Sequence, residues 1–137
     1  MAKKSFKFSM PLGIKLAKSS KGKIYVLNIN YLLTKYHKSY NNLKSKYEEI
    51  LEPYLKGLKI KPPFMITYTF FYGSRRRVDR NNFVCAHDKF FCDALTKNGC
   101  IPDDNDRYYL RTISESGEID KDNPRMEILV EELWKNF

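Results

Sequence analysis

The sequence predicts an α+β fold in which a mixed β-sheet carries two main helices. The strongest strand signal is the β-branched and aromatic run FMITYTFFY at 64–72, bounded by Pro62-Pro63 and Gly73. Two longer segments show the apolar spacing of helices, and shorter strand-like segments precede and follow them. The predicted order is β-β-α-β-α-β-β, in one domain over residues 1–137.

The first half of the chain supplies two predicted strands and the first helix. Phe6–Leu12 alternates weakly and Ile24–Ile29 is a short apolar run, with a lysine-, serine- and glycine-rich loop at 15–23 between them. The helix is predicted to begin at Asn30, a suitable N-cap, and Pro53 is expected to end or kink it. Its apolar stripe is interpreted as core packing and consists of Tyr36, Tyr40, Leu43, Tyr47, Ile50 and Leu51.

The second half predicts one helix and two closing strands. The helix runs from Asn81 to Asn98 and stops at Gly99, a residue type that favours helix ends. Arg107–Ser114 and Pro124–Val130 read as strands on either side of a turn. The buried side of the helix is expected to hold Phe83, Phe90, Phe91, Ala94 and Leu95.

The composition limits the classes of binding partner and the cellular location that we expect. Lys and Arg number 25 against 16 Asp and Glu, so the net charge is +9, which favours a polyanion, nucleic acid before membrane. No apolar run approaches the ~18–20 residues of a membrane span, and no secretion signal is visible. Three cysteines, Cys85, Cys92 and Cys100, do not suit a disulfide framework, so a reducing, cytoplasmic location is expected. The chain has no Cys-x-x-Cys and widely separated histidines, which argues against a zinc site.

Acidic residues follow the best strand and the second helix. Asp79 comes just after the strand, and Asp103 and Asp104 come just after the helix. We expect the two exits to meet at one sheet edge, where carboxylate and amide oxygens can hold Mg²⁺. A divalent ion there can polarise a phosphodiester and activate water. The arginines around Asp79 would offset repulsion between an acidic pocket and DNA.

The second helix also presents a polar face. Lys89 and Asp93 are four residues apart, and Asn82 is seven residues before Lys89, so all three share one side. A lysine near a metal can neutralise charge on a reacting phosphate. The alternatives are ordinary ones: Lys89–Asp93 as a surface ion pair, Asp-Asp-Asn-Asp as a turn, and Arg75–Arg77 as a solvated loop.

At these residues the chain resembles the RusA family of Holliday junction resolvases, small homodimeric Mg²⁺-dependent endonucleases common in prophages. The combination K-x-x-x-D-A-L-T-K-x-G followed by D-D is the most specific part. The resemblance spans most of the domain and is carried by LNINY (27–31), HKSYNNLK (37–44), RRRVDRNN (75–82), DKFFCDALTKNGCIPDD (88–104) and NPRMEILV (123–130).

The resemblance implies roles for individual residues. Asp79 corresponds to the first metal-binding carboxylate, Lys89 to the catalytic lysine, and Asp103 and Asp104 to the paired aspartates. Asp104 is the preferred direct ligand, so the implied catalytic set is Asp79, Lys89 and Asp104. Asp93 and Asn82 are implied to support the site from behind the ligands. The implied cofactor is Mg²⁺, with Mn²⁺ as an alternative.

Two departures from the family pattern bear on the metal. Asn81 stands where the family has its second carboxylate, so the motif is D-R-N-N, and an amide oxygen adds no charge. The spacing from Asn82 to Lys89 is also longer by about one helical turn. Asp88 is a second candidate for the missing carboxylate, although seven residues, ~10 Å of helix, separate it from Asn81.

The expected function is therefore a homodimeric endodeoxyribonuclease that resolves four-way junctions by paired symmetric nicks. The expected contacts to DNA phosphates position the junction without reading bases. The alternative is a RusA-like protein that binds branched nucleic acid with weak or no catalysis, and a third is a basic structural or RNA-associated protein. The residues expected to bind DNA are Arg75, Arg76, Arg77, Arg80, Lys15, Lys18, Lys21 and Lys23.

Overall fold

The computed structural model describes residues 3–16, 24–34 and 37–133, without the side chains of His37 and Lys38. It is an α+β fold, as predicted. A four-stranded mixed sheet has the order β1-β6-β4-β5, in which β4 and β5 are parallel and the other neighbours are antiparallel. Its strands are β1 (Ser5–Pro11), β4 (Phe64–Phe71), β5 (Tyr109–Ser116) and β6 (Arg125–Glu132).

A small second sheet and a short helix follow β1. The sheet is an antiparallel pair of β2 (Gly13–Lys15) and β3 (Ile24–Val26), so the second predicted strand is shorter than expected. Helix α1 (Ile29–Leu32) comes next. No helix in the described part of the chain is long and apolar enough to cross a membrane.

The first predicted helix is two helices. Asn28, not Asn30, caps α1, and its side chain accepts a hydrogen bond from the Asn30 backbone at 3.0 Å. After α1 the hydroxyl of Thr34 donates to the Tyr31 carbonyl at 2.6 Å, a local bond of the kind that competes with helix continuation. The long helix α2 spans His37–Leu55 and continues past Pro53 for two residues. Pro53 therefore does not end the helix.

The core lies between the sheet and the helices. On α2 the predicted stripe is confirmed at its centre, where Leu43, Tyr47 and Leu51 are buried, while Tyr40 and Ile50 are half-buried and Tyr36 lies outside the described residues. On β4 the side chains alternate, because those at Phe64, Ile66, Tyr68 and Phe70 face the core. All five apolar residues expected to be buried on the second helix are buried.

The segment that positions the candidate site is the unit β4–α3–β5. Helix α3 spans Arg80–Lys97, one residue earlier at each end than predicted, and it ends before Gly99, whose φ is 71°. Because β4 and β5 are parallel, α3 returns the chain from the carboxyl end of β4 to the amino end of β5. The beginning of α3 thus contacts Ser114 near the end of β5. Its end leads to Tyr108, whose carbonyl accepts a hydrogen bond from the Phe64 backbone.

The three cysteines are free. Cys92 and Cys100 are buried and Cys85 is exposed.

Candidate functional site

The beginning of α3 is held by the residues of the D-R-N-N motif. Asp79 is the N-cap, and its Oδ1 accepts a hydrogen bond from the Asn81 backbone at 3.1 Å. The backbone N–H of Asn82 donates to the Asp79 carbonyl at 3.1 Å. Ser114 on β5 donates to Asn81 Oδ1 at 2.8 Å and accepts from Arg80 Nε at 3.0 Å. These contacts give Asp79 and Asn81 a local task, which is to start α3 and attach it to β5.

Farther along α3, Asp88 is fixed by two tyrosines. Its Oδ1 accepts hydrogen bonds from the hydroxyls of Tyr68 at 2.6 Å and Tyr109 at 2.8 Å, and from Cys92 Sγ at 3.4 Å. Thr112 in turn donates to the Tyr109 hydroxyl at 2.7 Å. Burial, and then the Asp88 charge, raises the pKa of Tyr109, and burial is also the main cause of the raised pKa of Tyr68. Both hydroxyls therefore stay protonated and orient the carboxylate.

Asp93 lies farther along α3 and Asp104 lies in the loop that follows the helix, and we call Asp88, Asp93 and Asp104 the acidic cluster. The Cys92 thiol contacts Asp88 Oδ1 at 3.4 Å, and burial followed by the charge of Asp88 raises the pKa of the thiol, with smaller effects from Asp104 and Asp93. Partial burial, a hydrogen bond with Asp103 and the charges of Asp103 and Asp93 raise the pKa of Asp104. A cation bound among these groups would relieve that repulsion.

The pKa of Asp103 is shifted in the opposite direction from that of Asp104. Asp103 Oδ1 accepts from the Asp104 backbone at 2.8 Å and its Oδ2 from the Asn105 amide at 3.2 Å, and these bonds lower the pKa of Asp103. The Asn105 side chain accepts from the Arg107 backbone at 3.0 Å. Asp103 and Asn105 therefore build the turn, as the ordinary interpretation of this segment held.

The structure does not bring Asp79 and Asn81 together with Asp103 and Asp104. Asp79 caps one end of α3, whereas Asp104 lies near Asp93, which is 14 residues and about 21 Å farther along the helix. The expectation that the strand exit and the helix exit meet at one edge does not fit a parallel crossover. In such a unit the two exits lie at opposite ends of the strands. Asp88 lies nine residues, about 14 Å, farther along α3 toward that end of the helix than Asp79 does.

The acidic cluster fits Mg²⁺ better than a metal held by protein ligands alone. Within the described ranges no group of three His, Cys, Asp or Glu side chains is arranged to hold a metal ion. Mg²⁺ commonly uses one or two carboxylates and completes its shell with water and substrate phosphate. Lys44 binds Asp93 at 2.9 Å, which leaves Asp88 and Asp104 as the members of the acidic cluster without a salt bridge among the described residues.

Lys89 stands beside Asp88 on the solvent side of α3. Its side chain is exposed, and among the described residues no carboxylate or carbonyl contacts its ammonium group. The expected Lys89–Asp93 ion pair does not form, because Asp93 pairs with Lys44 of α2, and this contact together with the Asp93 charge raises the pKa of Lys44. Lys89 is therefore available to an anionic ligand.

The arginines predicted to bind DNA line a cleft of about 260 Å³ at the carboxyl ends of β4 and β5. We call it the arginine cleft. Its cationic rim is Arg75, Arg76, Arg77 and Arg80, and its apolar wall is Phe70, Tyr72, Val78 and Ile119. In the described part of the chain no salt bridge involves any of these arginines.

The four lysines predicted to bind DNA are only partly described. Lys15 is exposed at the end of β2. Lys18, Lys21 and Lys23 lie outside the described residues.

Sequence reasoning missed the tyrosines and the apolar wall. The sequence pattern predicts Tyr68 and Tyr109 only as strand residues and assigns no role to Val78 and Ile119. Register could have revealed Tyr68, because it shares the inward face of β4 with Ile66 and faces the helix that carries Asp88. Val78 and Ile119 are far apart in the sequence, and only the folded chain brings them to the same cleft.

In comparisons with known proteins, no family model matches this chain and no curated protein sequence matches it either.

Proposed function

We propose that this chain is a Mg²⁺-dependent endodeoxyribonuclease that nicks four-way DNA junctions. The observation that carries the proposal is the placement of the arginine cleft and the acidic cluster along the same two elements. Arg80 contacts Ser114 of β5, and Asp88 contacts Tyr109 of β5. Eight residues of α3, about 12 Å, separate the two positions. A DNA strand gripped at the cleft can reach the carboxylates.

Each group has a separate chemical task in this proposal. Asp88 and Asp104 would hold Mg²⁺, which supplies a polarised phosphate and an activated water when bound. Tyr68 and Tyr109 keep the Asp88 carboxylate oriented. Lys89, beside it and unpaired among the described residues, would neutralise charge on the leaving oxygen. The arginines hold the flanking phosphates, since guanidinium groups bind phosphate oxygens in pairs.

The proposal extends to assembly and location. Two symmetric nicks need two sites, so we propose a homodimer acting on branched double-stranded DNA. A cytoplasmic location, where the three free thiols stay reduced, belongs to the same proposal.

The test is an assay on synthetic four-way junctions with and without Mg²⁺. We expect paired nicks only with Mg²⁺, and a loss of at least about 100-fold in Asp88→Asn and Asp104→Asn, since each removes a ligand charge. Asp106→Asn is the matched control, because Asp106 is exposed in the same loop. Full activity in Asp104→Asn would refute the metal site. Tight binding without any nicking by the wild type would favour the binding protein that has lost turnover.

A second pair of variants separates the ligand set of the family resemblance from the one proposed here. Asp79→Ser keeps a good N-cap but removes the carboxylate, so activity should persist if Asp79 only caps α3. Asn81→Asp should not lower the Mg²⁺ requirement, because Ser114 occupies the Asn81 oxygen. Loss of nicking in the first variant, or a lower Mg²⁺ requirement in the second, would instead assign these residues to the metal.

A further inference from the structure

The arginine cleft combines two kinds of surface that a bare phosphate site does not need. Four guanidinium groups line it, and so do apolar side chains that remain open to solvent. Ile119 is 51% exposed and Val78 is 36% exposed, although both lie at a concave surface. An inorganic anion would use only the arginines, and an apolar ligand would gain nothing from them. The composition fits a ligand that is anionic at one end and flat and apolar at the other.

The wall behind these side chains is firmly packed. Tyr72 stacks on Phe70 with ring centroids 5.3 Å apart, and Phe83 packs against Phe70 at 4.8 Å. Tyr72 is only half-buried, so part of it faces the cleft. Aromatic rings and arginine planes are the surfaces on which proteins stack nucleic acid bases. A base entering the cleft would therefore meet a surface that is already formed.

No salt bridge to a described carboxylate cancels the positive charge of the rim arginines, although Asp79 lies between Val78 and Arg80 in the sequence. Asp120 follows Ile119, but Arg125 binds its carboxylate at 2.7 Å. Arg125 is in turn held over the Phe71 ring, 4.0 Å from its centroid. The rim arginines keep their hydrogen-bonding capacity for a phosphate, apart from the Arg80 Nε–H that Ser114 accepts.

The size of the cleft limits what can enter. At about 260 Å³ it is smaller than the ~300–1,000 Å³ of drug-sized ligand sites, so it has room for one nucleotide unit. A base pair within a duplex keeps both faces stacked and cannot present one face to the wall. Only an unpaired nucleotide can, at a branch point, gap or flap.

We propose that the arginine cleft binds one unpaired nucleotide at the branch point of the DNA, with its base against Tyr72, Val78 and Ile119 and its phosphate on the arginines. This inference rests on the proposed junction nuclease and names the feature of the substrate that it selects. The cleft lies about 12 Å along α3 from Asp88. An anchored branch nucleotide would fix which phosphate reaches the acidic cluster.

The test measures binding of the full chain in EDTA, by fluorescence anisotropy, so that cleavage plays no part. One junction carries a single unpaired thymidine at the branch, and a second carries an abasic residue at the same place. We expect the thymidine junction to bind at least about fivefold more tightly, since base stacking contributes that much or more. Equal affinities would overturn the proposal.

Variants of exposed apolar residues inside and outside the arginine cleft show whether the cleft causes the preference for the thymidine junction. Val78→Ala with Ile119→Ala should abolish the preference for the thymidine junction. Ile24→Ala with Leu33→Ala should keep it, because those side chains are also exposed, at 54% and 74%, but lie outside the cleft. A preference that survives in the cleft variant would overturn the proposal.

Competition with the wild type gives a readout that does not depend on how the variants fold. Thymidine 5′-monophosphate should displace the thymidine junction at lower concentration than inorganic phosphate does. Equal potency would reduce the cleft to a simple anion site, and stronger competition by a phosphotyrosine peptide would point to a protein partner; either result overturns the proposal.

The outcomes for the two proposals are separable. Base-dependent binding without nicking in Mg²⁺ would keep the nucleotide cleft and reject the nuclease. Nicking without base-dependent binding would keep the nuclease and reject the nucleotide cleft.

Discussion

His87 is a titratable group enclosed in the core between α3 and α2. Its side chain is fully buried, with Nδ1 2.8 Å from the Tyr47 hydroxyl and no partner for Nε2 among the described residues. Burial lowers the pKa of His87 from 6.5 to about 3, because a charged imidazole would lose its hydration. The folded protein therefore holds His87 neutral at pH values where an unfolded chain would protonate it.

The sign and size of the pH effect follow from linkage. Between the folded pKa near 3 and the unfolded value of 6.5, the unfolded chain binds more protons, so stability is fully present above pH 6.5 and falls as pH is lowered. Each pH unit inside this window costs about 1.4 kcal/mol. From pH 7 to pH 5 the contribution of His87 to the free energy of unfolding should fall by about 2 kcal/mol.

Urea unfolding followed by circular dichroism at pH 7 and pH 5 measures this change. His87→Gln removes the titration while keeping a polar group for Tyr47, so its pH-dependent loss should be about 2 kcal/mol smaller than that of the wild type. If the wild type and His87→Gln lose equal stability, the buried neutral imidazole is refuted.

Three further predictions concern backbone, surface charge and DNA binding. Gly99→Ala should cost about 1 kcal/mol in thermal unfolding, because φ is +71° and only the Lys59 ammonium lies near the added Cβ, at 3.5 Å. Gly117→Ala should cost more, because its Cβ would lie 2.7 Å from the Phe71 ring; equal costs would refute the steric argument. Lys44→Met breaks the ion pair with Asp93 but should change stability by no more than about 1 kcal/mol, since both side chains are 39% exposed; a larger loss in urea unfolding would contradict this. Changing Arg75, Arg76 and Arg77 to Gln should flatten the dependence of log K for junction DNA on log salt by up to about 3, and an unchanged slope would remove them from the phosphate contacts.

The fold could largely be predicted because its signals are local. The run at 64–72 forms a central strand, and the helix ending before Gly99 is found within one residue of its predicted bounds. Where the prediction failed, a nearby side chain decided the outcome. Asn28 takes the cap from Asn30, and the Thr34 hydroxyl binds the Tyr31 carbonyl after one short helix. Several side chains can compete for the same backbone groups, and composition alone does not rank them.

The site was harder to predict, because it depends on which strands pair. The order of elements is compatible with either a parallel or an antiparallel neighbour for β4, and only the parallel pairing sends α3 from one end of the strands to the other. That choice separates Asp79 from Asp104 and brings Asp88 beside Tyr68 and Tyr109. The sequence therefore points to individual residues in both regions, but their grouping was not accessible from spacing along the chain.

The connection between the cleft and the carboxylates is continuous α-helix rather than loop. A helix has a nearly constant rise per residue, so the distance along α3 between Arg80 and Asp88 is fixed at about two turns. Adding one residue between Arg80 and Asp88 would rotate Asp88 by ~100° away from Tyr68 and Tyr109. It would also lengthen the distance between Arg80 and Asp88. Under the proposed function, α3 itself would set how far from the branch the backbone is cut.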